Sequence, residues 1–91
     1  MRGFSAEQLL AVADEYCAFH GCQVRSFAAL AASAAVPSAR LHGVPVFDTV
    51  EAAAAALAET IRALQPLSGF NAGFNAGFAD VAAEVYRRWV E

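Results

Sequence analysis

Residues 48–64 read DTVEAAAAALAETIRAL, and this stretch decides the fold that we expect. Its block of five alanines favours a helix, because alanine has the highest intrinsic helix propensity. One apolar face repeats every seven residues through Val50, Ala54, Leu57, Ile61 and Leu64. Because small side chains let a second helix approach closely, we predict that this helix lies at the centre of a helical domain.

The residues at both ends of this stretch predict where the helix begins and ends. The run Asp48-Thr49-Val50-Glu51 has the form of a capping box, in which side chains satisfy backbone N–H groups of the first turn. The run Gln65-Pro66-Leu67-Ser68-Gly69 interrupts the repeat, so we expect the helix to end near Leu64.

Residues 37–47 contain two prolines and a glycine, which is incompatible with the interior of a helix. We predict an irregular loop or a short hairpin-like flap, in which Val44, Val46 and Phe47 are extended. Pro45 has no backbone N–H, and this restricts any strand here to the edge of a sheet.

A capped helix is predicted near the start of the chain, over residues 6–20. Ser5 and Gln8 have the spacing of a capping box, and Gly21 is a typical left-handed helix end. The predicted apolar face of this helix consists of Leu9, Val12, Ala13, Tyr16 and Phe19.

Two further helices complete the prediction. One runs from about Ser26 to Ala35, before Pro37, and the last begins between Asn71 and Asn75 and runs to about Val90. The predicted buried stripe of the last helix consists of Phe74, Phe78, Val81, Val85 and Trp89. The sequence therefore predicts an all-α fold, a compact bundle of about four helices with one short loop or β-like flap, in a single domain over residues 1–91.

Composition argues against several classes of protein. The 91 residues carry nine acidic and six basic side chains, for a net charge of −3, which is a poor surface for nucleic-acid phosphates. No apolar run approaches the roughly 18–20 residues of a membrane span, and the first residues lack the pattern of a signal peptide. Two cysteines are few for a disulfide-stapled secreted domain, so we expect reduced thiols in a cytoplasmic protein.

Three side chains near the end of the first helix are candidates for metal binding or catalysis: Cys17, His20 and Cys22. A zinc site needs a further ligand or a water, and His42 is the only other imidazole or thiol in the chain. A nucleophilic thiol needs an electropositive setting, and Arg25 is the only cation nearby in the sequence. We therefore expect buried or incidental cysteines and no metal.

The run Ser68-Gly69-Phe70-Asn71-Ala72-Gly73 has the composition of an anion-binding turn at a helix N-terminus. The alternative is a simple turn followed by a glycine-softened helix start. No lysine or arginine follows in this run to neutralise a phosphate, which favours the alternative.

The order of these elements resembles that of the Fic/Doc family, the Fic domains and death-on-curing toxins. The residues that carry the resemblance are the short helix with Ser26-Phe27-Ala28-Ala29-Leu30, the loop His42-Gly43-Val44-Pro45-Val46-Phe47, the alanine-rich helix, and Leu64-Gln65-Pro66-Leu67 before an asparagine-containing turn. The resemblance covers nearly all 91 residues and is strongest over residues 27–71. The chain stops soon after the next helix, so the family's further C-terminal helices are not expected.

Family members share a loop of the form His-Pro-Phe-x-Asp-Gly-Asn-x-Arg, in which the histidine is the base, the acid holds magnesium and the later residues bind phosphates. Without gaps, Gln65 falls at the histidine and Gly69 at the acid, whereas Pro66 and Asn71 match. Leu67 replaces the phenylalanine, Phe70 falls at the glycine, and Ala72 and Gly73 fall at the basic positions. The active-site motif is therefore degenerate.

This degenerate loop leads us to expect no phosphoryl or nucleotidyl transfer. Glutamine does not take up a proton near neutral pH, and the loop has no acid for magnesium and no cation for a polyphosphate. The resemblance implies ATP and magnesium as cofactors, but we expect none here. The ligand-binding positions that the resemblance and the loop composition suggest are Pro66, Gly69, Asn71, Gly73 and Asn75.

The resemblance also implies a toxin–antitoxin setting and a protein partner, either an antitoxin or a target protein. In the family the flap docks the target peptide, and this role falls here on Gly43, Val44, Val46 and Phe47. Neither a nucleic-acid nor a membrane partner is expected.

Two other hypotheses remain open at this point. In the first, the 65–75 loop performs altered chemistry, with Gln65, Asn71 and Asn75 orienting a ligand and His42 acting as acid or base. In the second, the chain is a structural helical module that self-associates, with a homodimer as its closed form. Its contact surface would be the exposed residues Phe4, Phe70, Trp89 and Val90.

Overall fold

The predicted all-α fold is confirmed by the computed structural model, which describes residues 2–68 and 73–90. Within these residues there are four α-helices: α1 (Ala6–His20), α2 (Phe27–Ala35), α3 (Val50–Leu64) and α4 (Gly73–Val90). A 3₁₀ turn, Val36–Ser38, continues α2 beyond its last residue. The short strands are β1 (Gln23–Val24), β2 (Arg40–Leu41), β3 (Val44–Pro45) and β4 (Leu67–Ser68).

Side-chain caps fix where the first three helices begin. The capping box of α1 is confirmed, because the Gln8 N–H donates to Ser5 Oγ at 3.0 Å and the Ser5 N–H donates to Gln8 Oε1 at 2.9 Å. The Ala29 N–H donates to Ser26 Oγ at 3.1 Å, so Ser26 lies just outside α2 as its N-cap.

The box predicted for α3 is wrong by one residue. Thr49, and not Asp48, has the extended N-cap conformation, and its Oγ1 accepts from the Ala52 N–H at 3.1 Å. Since the cap oxygen must reach an N–H about three residues further on, the helix begins at Val50.

The core is formed where α3 packs against α2, the 3₁₀ turn and α4, with α1 packing against α2 and α4. The largest fully buried apolar side chains are Tyr86, Phe78, Leu9, Leu30, Leu57 and Ile61. Alanines on α3 and α4 fill the contact between these two helices: Ala53, Ala54 and Ala58 from α3 and Ala79, Ala82 and Ala83 from α4. Because these side chains are small, the backbones come close enough to bury the larger residues around them.

Two predicted helix faces need correction. In α1, Phe19 is 86% exposed, and Cys17 takes its place in a buried line that begins with Leu9 and Ala13. In α4, Val81 is 40% exposed, because the face that meets α3 is the one with the alanines. In both helices, the pattern of large apolar residues predicts the wrong position, because small residues occupy that part of the face toward the core.

The N-terminal residues are held on the end of α4. Phe4 is buried, and its ring stacks on Trp89 with centroids 5.6 Å apart and meets Tyr86 edge-on at 5.4 Å. The Arg2 guanidinium lies 4.1 Å above the Trp89 ring, and the Tyr86 hydroxyl donates to the Arg2 carbonyl. The prediction that Phe4 is exposed is therefore wrong. Trp89 and Val90, which are also predicted to be exposed, are half-buried. Phe70 lies outside the described residues.

Two separate antiparallel pairs of strands connect the helices. β1 pairs with β4, with Gln23 opposite Ser68 and Val24 opposite Leu67, and β2 pairs with β3 in a hairpin. The first pair joins the end of α1 to the segment after α3. Across residues 2–68 and 73–90, no helix combines the length and apolar character that crossing a bilayer requires.

We expect Leu57→Ala to lower the free energy of unfolding by about 2–5 kcal/mol, because Leu57 is fully buried and truncation leaves a cavity. Leu64 shares the seven-residue repeat but is 41% exposed, so Leu64→Ala should cost much less, under about 1 kcal/mol. Urea unfolding followed by circular dichroism measures both changes, and equal losses would contradict the packing described.

Candidate functional site

The first candidate region is the segment after α3, where Gln65 ends the helix. Gln65 has a left-handed backbone with φ of 50°, and its N–H donates to the Ile61 carbonyl at 2.9 Å. It is an exposed residue. The position that aligns with the family's catalytic histidine is thus a helix C-cap, a backbone role that glycine usually fills.

Arg25 holds this helix end in place, and sequence analysis missed that role. Its guanidinium donates to the Gln65 carbonyl at 2.6 Å and to the Leu64 carbonyl at 3.4 Å. A cation here also offsets the partial negative charge at the C-terminus of α3. The Arg25 and Ser26 N–H groups donate to the carbonyl of the buried Pro66 at 2.7 and 3.1 Å. The predicted ligand position Pro66 therefore belongs to a contact between the loop after α1 and the loop after α3.

Asn75 forms the other side of this contact. It is buried in the first part of α4, where its Oδ1 accepts from the Leu67 N–H at 2.9 Å and its Nδ2 donates to the Leu67 carbonyl at 3.0 Å. The amide imitates the edge of a neighbouring strand, so β4 lies between β1 and this side chain. Its role toward a ligand stays a prediction, but the structure already gives the amide both a donor and an acceptor partner.

The remaining predicted ligand positions divide between described and undescribed residues. Gly73 is the first residue of α4. Gly69 and Asn71 lie outside the described residues, so their predicted contacts stay predictions. Of these positions, Pro66 and Asn75 are linked by Leu67, which follows Pro66 in the chain and hydrogen-bonds to the Asn75 amide.

The second candidate region is the predicted flap, which is a β-hairpin with a two-residue turn. His42 and Gly43 form its turn with φ of 53° and 81°, and Leu41 lies opposite Val44. Two successive residues with positive φ are typical of the type I′ turn, whose twist matches that of the strands it joins. The Arg40 guanidinium donates to the Gly43 carbonyl at 2.8 Å, which closes the turn from the side.

The hairpin presents apolar side chains to solvent. Leu41, Val44 and Val46 are 66%, 64% and 54% exposed. The Val46 N–H donates to the Ala39 carbonyl at 2.9 Å, and Phe47 packs against the core as a half-buried residue. Of the flap residues predicted to bind a partner, Val44 and Val46 thus point outward, whereas Phe47 anchors the base of the hairpin.

His42 lies in the turn of the hairpin, whereas Gln65 is the C-cap of α3. The hairpin strands pack mainly on each other, whereas β4, which follows Gln65, packs on β1 and α4. Both residues are exposed. Part of the 65–75 loop, residues 69–72, lies outside the described residues, so the hypothesis that His42 supplies acid–base chemistry to this loop stays a prediction.

A groove of about 500 Å³ lies between α3 and α4, and sequence analysis did not predict it. Its lining consists of Ala55, Ala58, Glu59, Arg62, Asp80, Ala83, Glu84 and Arg87. The charged side chains already pair across or along it: Arg62 with Asp80 at 2.5 Å, and Arg87 with Glu51 at 3.2 Å and Glu84 at 3.3 Å. Arg88, which donates a hydrogen bond to Glu84, and Arg87 hold the pKa of that carboxyl below its usual value. The groove contains none of the predicted ligand residues, and its exposed ion pairs contribute little free energy.

The structure divides the group of Cys17, His20 and Cys22 into a pair of thiols and an imidazole that packs on aromatic rings. The two sulfur atoms contact each other at 3.2 Å, whereas the His20 ring packs 4.2 Å from the Tyr16 ring and 5.1 Å from the Phe19 ring. Among the described residues no three histidine, cysteine or acidic side chains are grouped closely enough to hold a metal ion.

Comparison of the chain with protein-family models, with curated proteins and with solved structures finds no match.

We expect Asn75→Ala to lower the free energy of unfolding by about 2–4 kcal/mol, because it leaves the buried N–H and C=O of Leu67 without partners. Asp80→Ala is the matched control on the same helix, since it removes only an exposed ion pair and should cost under about 1 kcal/mol. Urea denaturation compares them, and a neutral Asn75→Ala would show that the amide does not support β4.

We expect Gln65→Gly to raise the free energy of unfolding by about 1 kcal/mol, because the left-handed backbone disfavours a Cβ atom. Gln65→Ala keeps the Cβ atom and should give no such gain. The measurement is again chemical denaturation. Loss of stability in Gln65→Gly would instead show that the glutamine side chain makes a contact important for folding.

Proposed function

We propose that this chain is a Fic/Doc-like, toxin–antitoxin-related domain that binds a protein partner in the cytoplasm and transfers no phosphoryl or nucleotidyl group. The observation that carries this proposal is the hairpin, which exposes Leu41, Val44 and Val46 on either side of its type I′ turn. Exposed large apolar side chains grouped in one place are typical of an interaction surface.

The hairpin suits an extended partner segment. Within the described residues β2 and β3 pair only with each other, and β2 is the edge to which a further strand can add, because Pro45 leaves β3 without one N–H donor. In strand addition, backbone hydrogen bonds supply affinity and neighbouring side chains supply specificity. The partner that fits is therefore a protein with an extended, apolar segment, either an antitoxin or a target protein.

The segment after α3 supports the absence of transfer chemistry. Gln65 has a backbone role at the end of α3, and Asn75 supports β4. Residues 65–73 contain no acid, histidine, lysine or arginine. A polyphosphate there would lack the cations that normally stabilise the charge of the transition state.

Isothermal titration calorimetry with ATP and magnesium tests the second part of the proposal. We expect no binding in the micromolar range, because the loop lacks a metal ligand and a cation for phosphates. Clear micromolar binding, or nucleotide attached to a co-incubated protein in a manner dependent on this chain, would contradict it.

A displayed library of random peptides tests the first part. The chain should enrich peptides with alternating apolar residues, and the variant Leu41→Ser/Val44→Ser should bind them at least about tenfold more weakly, or about 1.4 kcal/mol. Phe19→Ser is the matched control, because Phe19 is an 86% exposed apolar residue on α1, away from the hairpin. Equal loss of binding in both variants would show that binding does not use the hairpin.

Light scattering at two protein concentrations shows whether a second copy of the chain is the partner.

A further inference from the structure

The two cysteines form a thiol pair at the end of α1. The Cys22 thiol donates a hydrogen bond to the Cys17 sulfur with 3.2 Å between the sulfur atoms, and both residues are free thiols. Both residues are buried and keep only 8% and 7% of their surface exposed, so an oxidant that acts on them has to be a small solute.

The end of the helix creates this proximity. Gly21 has a left-handed backbone with φ of 74°, and the N–H groups of Gly21 and Cys22 both donate to the Cys17 carbonyl, at 2.8 and 3.2 Å. The chain therefore turns back directly after α1 and places Cys22 beside Cys17. A Cβ atom at Gly21 would meet nothing within 4 Å, so the glycine is required by the backbone conformation and not by space.

We propose that Cys17 and Cys22 are a redox modification site, which hydrogen peroxide or another hydroperoxide oxidises to an intramolecular disulfide. The sulfur atoms need to approach by only about 1 Å to reach bonding distance. This inference is independent of the proposed protein-binding function, since it concerns residues outside the hairpin.

The reaction has two steps with hydrogen peroxide as the oxidant. The Cys22 thiolate attacks one peroxide oxygen, the O–O bond breaks, and Cys22 becomes a sulfenic acid while hydroxide leaves and takes a proton to become water. The Cys17 sulfur then attacks the Cys22 sulfur, the S–O bond breaks, and the departing hydroxide takes the Cys17 proton. Two thiols and one peroxide thus give one disulfide and two waters.

We assign the first attack to Cys22, because Cys17 lies in the last turn of α1, where the partial negative charge of the helix C-terminus disfavours a thiolate. Burial, and then the adjacent Cys22 thiol, raise the pKa of Cys17 to about 12, so Cys17 has very little thiolate near neutral pH. Cys22 also lies directly before β1, which pairs with β4 after α3. The disulfide would therefore restrain the loop that holds the segment after α3.

The test is mild oxidation of the whole folded chain with hydrogen peroxide, removal of the excess with catalase, alkylation of free thiols and measurement of the intact mass. We expect a monomer that has lost two hydrogen atoms and takes up no alkyl group. Uptake of two alkyl groups, a covalent dimer, or added oxygen atoms without a disulfide would each overturn the proposal.

The single variants Cys17→Ser and Cys22→Ser test the order of attack, with circular dichroism to confirm that each is folded. A dimedone probe for sulfenic acid should label Cys17→Ser at least about tenfold faster than Cys22→Ser. Equal or reversed labelling would overturn the assignment of Cys22, and if either variant fails to fold, the alanine variants Cys17→Ala and Cys22→Ala replace the pair.

Discussion

The segment between α3 and α4 depends on finding partners for backbone groups that no regular element supplies. Pro66 and Leu67 are buried, so their polar backbone atoms would otherwise lose hydrogen bonds to water without replacement. The loop after α1 provides two N–H groups for the Pro66 carbonyl, and Asn75 satisfies both polar groups of Leu67. This set of bonds joins the segment after α1, the segment after α3 and the first part of α4.

The alanine-rich contact between α3 and α4 explains how so short a chain encloses a core. Fully buried residues such as Phe78, Tyr86 and Leu57 share the core with small side chains that allow close helix approach. In the part of the chain that the structure describes, every buried side-chain nitrogen or oxygen atom also has a hydrogen-bond partner. Large apolar residues that do not fit this contact, such as Phe19 and Val81, face outward.

The exposed surface carries the proposed interactions. The hairpin combines a turn whose two residues both have positive φ with apolar residues that are more than half exposed. The thiol pair, in contrast, is buried. The left-handed glycine that ends α1 brings its two sulfur atoms close together. One region thus suits a macromolecular partner, and the other suits only a small solute.

Local sequence signals determined much of this fold. The limits of α1, the end of α3, the capping box at Ser5, the stop at Gly21 and the hairpin before α3 all depend on interactions within a few residues, and these are visible in the sequence. Which face of α4 is buried, the use of Asn75 as a partner for β4 and the contact of Arg25 with Gln65 were decided by tertiary structure. These features depend on how the helices pack, so short-range periodicity carries no information about them. The buried backbone groups of Leu67 need partners only once the helices have packed, and the Asn75 amide is then within reach.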